Sequence, residues 1–204
     1  MERKLRIGID IDGVLRDNVG IMVDIYTLYF NEKLRYEDVK QYNVEETFPR
    51  IPRELHMKAS QWFFQEHSKE IFEDASAYPY VTEDIKALQE FADVYIITYQ
   101  KSYKNKMQAL KWLEEHDINP KGIIFLKNKE LFDCDVLIDD NDWNFNDSHA
   151  SVGILIDAPY NIDRSLKDIQ KTGPQIMMRC SNLHEFVNLS EELINEYTII
   201  KKEI

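Results

Sequence analysis

Two aspartates two residues apart, Asp10 and Asp12, close an apolar run that opens into Gly13-Val14-Leu15. A second pair, Asp139-Asp140, follows the apolar run Val136-Leu137-Ile138. Either pair alone reads as readily as a strand-end turn or a helix N-cap. Four carboxylates at the ends of two buried runs are another matter, because they are costly to gather unless a cation or a proton compensates them. Magnesium suits such a group, being a hard ion that takes oxygen ligands, commonly one or two carboxylates with water and a substrate phosphate. Beside the ion, one carboxylate can attack phosphorus and form an aspartyl-phosphate, splitting a difficult hydrolysis into two easier steps. A second, of raised pKa, can protonate the leaving alkoxide and then deprotonate water. Thr98 and Lys129 fall at suitable intervals to join the group.

Residues with these roles need a scaffold that brings distant strand ends together. Leu5 to Ile11 reads as a buried strand whose alternation, if it continues, aims Asp10 and Asp12 to one face. Ile21 to Phe30 reads as a helix, giving a β-loop-α opening. Residues 36–80 are charged and aromatic, punctuated by Pro49, Pro52 and Pro79, with no clear strand. We read 17–80 as a small helical insertion and 1–16 with 81–204 as the core. Further strands are expected at Asp93 to Thr98, Gly122 to Leu126, Val136 to Ile138 and Val152 to Ile156, with an edge strand at Ile176 to Met178. Helices are expected at Lys101 to His116, between the last two core strands, and at Leu183 to Ile200. The β-α rhythm predicts a three-layer α/β fold with a mostly parallel, Rossmann-like sheet, whose ligands bind beyond the carboxyl ends of the strands.

Bulk properties narrow the function. The chain has 204 residues, 44% hydrophobic and 12% aromatic, which fits a folded globule with a sizeable core. A formal net charge of -12 repels polyanions, so long nucleic acids are not expected as partners. No apolar run is long enough for a membrane span, and the first residues lack a signal peptide's apolar region, so a cytoplasmic location is expected. Cys134 and Cys180 read as free structural thiols. His56, His67, His149 and His184 have no metal-ligand spacing and receive no role.

At the acidic pairs the chain resembles a known superfamily. Asp10-Ile11-Asp12-Gly13-Val14-Leu15 resembles the first motif of the haloacid-dehalogenase-like phosphatases, Ile97-Thr98 the second and Leu137-Ile138-Asp139-Asp140 the fourth. Lys129 takes the place of the third-motif lysine by similarity to the 5'(3')-deoxyribonucleotidases. Within the superfamily the chain looks most like the type C deoxyribonucleotidases and a related bacterial nucleotidase group. Ile156 to Asn161 and Arg179 to Glu185 resemble that group's late segments.

The resemblance implies Asp10 as nucleophile and magnesium ligand, and Asp12 as acid/base with its backbone carbonyl on the metal. It implies Asp139 and Asp140 in the metal shell, Thr98 on the phosphoryl oxygens and Lys129 neutralising their charge. Lys127 and Tyr99 are further phosphate-side candidates, and Lys104 could reach a phosphate from the start of its helix. Two departures stand out: Asn18 replaces a base-stacking phenylalanine, and Tyr99-Gln100 follow Thr98 where alanine-arginine is expected.

The insertion occupies the place of a cap. Its Tyr42, Phe48, Trp62, Phe63, Phe64 and Phe72 could stack a base or form the cap's own core, and Asn18, Phe48, Trp62 and Phe63 are the substrate-side candidates. The expected activity is magnesium-dependent hydrolysis of a small phosphomonoester, a nucleoside monophosphate ahead of a sugar phosphate, by a monomer or homodimer. A receiver-like phospho-aspartate switch is the alternative of a different class.

Overall fold

The computed structural model describes residues 3–48 and 50–190, without the side chains of 52–54. Six strands, β1 (Leu5–Ile9), β2 (Ala92–Thr98), β3 (Gly122–Phe125), β4 (Val136–Asp139), β5 (Val152–Ile156) and β6 (Ile176–Cys180), form one sheet in the order β3-β2-β1-β4-β5-β6. All five pairings are parallel. Both faces of such a sheet must be covered, and the strand side chains show it. Ile96, Ile138 and Ile154 point to one apolar cluster, whereas their neighbours Ile97, Leu137 and Leu155 point to another.

The helices are α1 (Asn18–Phe30), α2 (Val44–Thr47), α3 (Arg50–Leu55), α4 (Ala59–Gln61), α5 (Ser68–Phe72), α6 (Val81–Phe91), α7 (Tyr103–Glu115) and α8 (Leu166–Ile169), with a π-helical turn at Trp62–Glu66. On the first face, Ile85 and Leu88 of α6, Trp112 and Leu113 of α7, and Leu183 and Phe186 of a helix at 183–190 cover the sheet. The second face is closed by shorter pieces, through Phe145, Ala150 and Ile169 of α8. This is the expected three-layer α/β architecture.

Among the described residues of 17–80 there is no strand beyond an isolated bridge at Ala77, and their apolar side chains form a third cluster running from Val19 to Phe72. Among the described residues no helix is long and apolar enough to cross a membrane.

Three expectations differ from the structure. Strand β1 stops at Ile9 rather than Ile11, because the chain folds back on itself there: the amides of Leu15 and Arg16 donate to the carbonyl of Ile11 at 2.8 and 3.0 Å. Helix α1 starts at Asn18, three residues earlier than its apolar periodicity suggests, because Asp17 caps it by accepting from the Gly20 amide at 2.8 Å. Residues 81–91, to which the sequence reading assigns no element, form α6, buried through Val81, Ile85 and Leu88 at helical spacing. The part of the expected closing helix beyond residue 190 lies outside the described residues.

Candidate active site

Strand order reverses between β1 and β4, which places the carboxyl ends of these neighbours at the crevice where open α/β sheets bind ligands. Asp10 is the first residue beyond β1 and its amide still donates across to the Ile138 carbonyl at 3.0 Å. Asp139 is the last residue of β4, and Asp140 follows it. Parallel pairing of Ile9 with Ile138 therefore sets the early and late acidic residues side by side.

Asp10, Asp139 and Asp140 are all buried, and each offers an oxygen within 4.8 Å of the others. Lys129, itself buried, inserts its ammonium between two of them, 2.7 Å from Asp10 Oδ2 and 2.5 Å from Asp139 Oδ2. Asp139 Oδ1 also accepts from the Asn141 amide at 2.9 Å and the Asn144 side chain at 3.0 Å. Asp140 accepts from the Tyr160 hydroxyl, and its backbone carbonyl accepts from Asn161 Nδ2 at 2.6 Å. Gly13 makes room for that carboxyl: at a φ of +76° a side chain is strained, and a Cβ would lie 2.0 Å from Asp140 Oδ2.

Burial raises the pKa of Asp140 well above the usual carboxylate range, and the charges of Asp139 and Asp10 add to the effect. Burial also raises Asp139, against the opposing pull of Lys129. At Lys129 burial works against the charge, but Asp10 and Asp139 outweigh it and hold the ammonium protonated. With all three carboxylates ionised, the one ammonium leaves two negative charges, which one divalent cation balances. The donors are hard oxygens converging on one point, so the residues present fit magnesium.

Asp12 is oriented differently. Its Oδ1 accepts from Arg16 Nε and Nη2 at 3.0 and 2.7 Å, and its Oδ2 from Gln100 Nε2 at 2.7 Å. Its side chain stands outside the three-carboxylate group, so the strand alternation that would have aimed it beside Asp10 does not operate beyond Ile9. Burial raises its pKa too, with Arg16 opposing.

Thr98 ends β2, next to β1, and is buried. Tyr99 is 48% exposed and Lys127 is exposed, and no described hydrogen bond or ion pair joins either to the carboxylates. Lys104 reaches the insertion instead, donating to the Gln65 carbonyl at 3.4 Å. A cavity opens from Asp12 and Asp140 towards the insertion, walled by Val19, Met22, Tyr42, Phe48 and Phe64 with Asn18, Gln41 and Thr47 as polar groups. Trp62 and Phe63 do not line it. They lie in the insertion's interior at 4% and 0% exposure, with Phe63 against Phe48. The sequence reading singled out none of Arg16, Gln100, Asn144, Tyr160 and Asn161 as site residues. For Gln100 the signal is the departure from the expected alanine-arginine two residues after the strand-end threonine.

A family model described as "5' nucleotidase, deoxy (Pyrimidine), cytosolic type C protein" matches residues 3–172. A 5'(3')-deoxyribonucleotidase of Clostridium acetobutylicum is 25% identical over 186 residues, covering 90% of this chain and 99% of that protein. Among solved structures, a haloacid dehalogenase-like family hydrolase from Streptococcus pneumoniae superposes with a TM-score of 0.61 at 14% identity, over 91% of this chain and 97% of that one. Another from Xanthomonas campestris gives 0.54 at 12% identity, over 95% and 97%. The structural matches carry the fold, and the family model carries the family.

Proposed function

Because the chain belongs to the 5' nucleotidase, deoxy (pyrimidine), cytosolic type C family, a branch of the haloacid-dehalogenase-like phosphatases, we propose that it is a magnesium-dependent nucleotidase working through a phospho-aspartate on Asp10. The observation that carries this reading is the convergence of Asp10, Asp139 and Asp140 around one point with Lys129 between two of them. Membership of a phosphatase family sets aside the receiver-like alternative.

In this reading Asp10, Asp139, Asp140 and the Asp12 carbonyl would hold the ion, which would supply charge neutralisation at the phosphoryl oxygens. Asp10 attacks phosphorus while Asp12 gives a proton to the departing ester oxygen, so the P–O bond breaks and a nucleoside leaves as its alcohol. Asp12 then takes a proton from water, whose oxygen attacks the phosphorus held on Asp10. Phosphate is released and both carboxyls return to their starting states. Lys129 and Thr98 stabilise the charge on the transferring group.

We read residues 17–80 as a cap over this site. Its cavity is apolar on most sides, with Asn18, Gln41 and Thr47 among its polar groups, the composition expected of a pocket for a base and sugar. A side-by-side panel of nucleoside monophosphates and sugar phosphates, with magnesium and with chelator, tests the proposal. Nucleotide hydrolysis that requires magnesium is expected. Sugar phosphates cleaved with the higher kcat/KM, or turnover unaffected by chelation, would overturn it.

A further inference from the structure

We propose that Arg16 is a positioning residue which fixes the proton-transferring carboxylate of Asp12 and ties its orientation to the cap, an inference that rests on the role given to Asp12 above. Arg16 is buried at 0% exposure. A guanidinium is almost never so placed unless its donors are matched. Here one edge, Nε and Nη2, holds Asp12 Oδ1 at 3.0 and 2.7 Å. The remaining nitrogen, Nη1, donates at 2.5 Å to the carbonyl of Phe72, the last residue of α5. The guanidinium carbon lies 5.4 Å from the ring centre of Phe72 and 5.2 Å from that of Trp112. Trp112 is anchored in turn, its Nε1 donating to the Ala75 carbonyl at 2.7 Å.

The backbone around Arg16 is where the two chain crossings between core and cap run side by side. The Asp17 amide donates to the Ser76 carbonyl at 3.0 Å and the Tyr78 amide to the Leu15 carbonyl at 2.9 Å, with Arg16 bridged to Ala77. One rigid fork therefore grips the acid on one side and the cap's exit on the other. With Oδ1 taken by two charged donors, Oδ2 is the oxygen left to exchange a proton. Among the described residues its partner is the neutral amide of Gln100, weaker than a guanidinium. A lysine at position 16 keeps the charge but not the planar pair of donors that sets the carboxylate's rotation.

The test compares kcat/KM for a nucleoside monophosphate and for p-nitrophenyl phosphate in the wild type, Asp12→Asn, Arg16→Lys, Arg16→Met and the double variant. An alkoxide needs a proton to leave and nitrophenolate does not, so loss of the acid shows as a selective loss on the nucleotide. The ratio of the two values does not depend on how much of the protein is folded. Asp12→Asn is expected to depress the nucleotide selectively. Both Arg16 variants are expected to do likewise, by about 10-fold or more in the ratio, as part of the ~10²–10⁴ that general acid–base catalysis supplies. Arg16→Met should change the ratio no further once Asp12 is Asn. Equal losses on both substrates in the Arg16 variants would overturn the inference, leaving Arg16 as scaffold only, and Arg16→Lys decides the matter should Arg16→Met not fold. An unchanged ratio in Asp12→Asn would instead remove the proton-transfer role of Asp12, and this inference with it.

Discussion

Asp10 Oδ2 lies 2.7 Å from the Lys129 ammonium, with the two side chains only 11% and 2% exposed. The same ammonium reaches Asp139. One cation thus holds together carboxylates from two neighbouring strand ends that would otherwise repel each other in a low-dielectric setting.

Removing it should be felt twice. Lys129→Met leaves Asp10 and Asp139 facing each other without the cation between them, and breaking a buried charge pair in this way costs about 3–5 kcal/mol. Denaturant unfolding of the magnesium-free protein should show that loss. Turnover should fall about 10²-fold or more, since a charge aimed at the phosphoryl group is gone. Magnesium should restore part of the stability and little of the rate. Unchanged kcat would remove Lys129 from the machinery.

Magnesium should stabilise the fold, and more so at higher pH. The carboxyls of Asp139 and Asp140 have folded pKa values raised above the ordinary 3.8, chiefly by burial. A raised folded value means that their contribution to stability is present in full below the unfolded pKa and is lost as pH rises through the folded one. Without metal, the cluster therefore becomes a growing liability as pH rises from the ordinary carboxylate range towards neutrality. The ion binds the deprotonated form and removes that liability. At 100-fold excess over Kd it contributes about 2.7 kcal/mol, or roughly 5–10 °C in a domain of this size. Thermal melts across that pH range, with and without magnesium, should show the gap widening as pH rises. A gap that narrows would contradict the assignment.

Within the cap, aromatic residues should separate by position. Tyr42 is 57% exposed, lines the cavity and sits edge-on to Tyr160 with ring centres 5.5 Å apart. If it stacks a base, Tyr42→Ala should raise KM for a nucleotide by about 5- to 150-fold, equivalent to the ~1–3 kcal/mol of one stacked base, with little change in melting temperature. Trp62→Ala should do the reverse, destabilising by about 3–5 kcal/mol as a buried core truncation. A large KM effect from Trp62 in a protein of normal stability would refute this division.

The acidic pairs were legible only jointly, because carboxylates gathered at the ends of two apolar strands need a compensating charge, and parallel pairing of β1 with β4 does the rest. The orientation of Asp12 was not. It depends on where β1 stops and on Arg16, whose burial is created by Phe72 and Trp112, far apart in the sequence. Residue type alone could not divide the cap aromatics, since a phenylalanine that walls a cavity and one that fills a core have the same side chain. Helix α6, by contrast, had a readable spacing in Val81, Ile85 and Leu88, but short apolar content between two punctuated segments hid it. The N-cap signal of Asp17 was local and readable, and it outranks apolar periodicity in locating the start of α1.

Attack by Asp10 on phosphorus is checked by phosphate release from purified Asp10→Asn with saturating magnesium. No turnover above the uncatalysed background is expected in a protein whose circular dichroism matches the wild type, because splitting the hydrolysis depends on that carboxylate. Substantial phosphate release by this variant would contradict it.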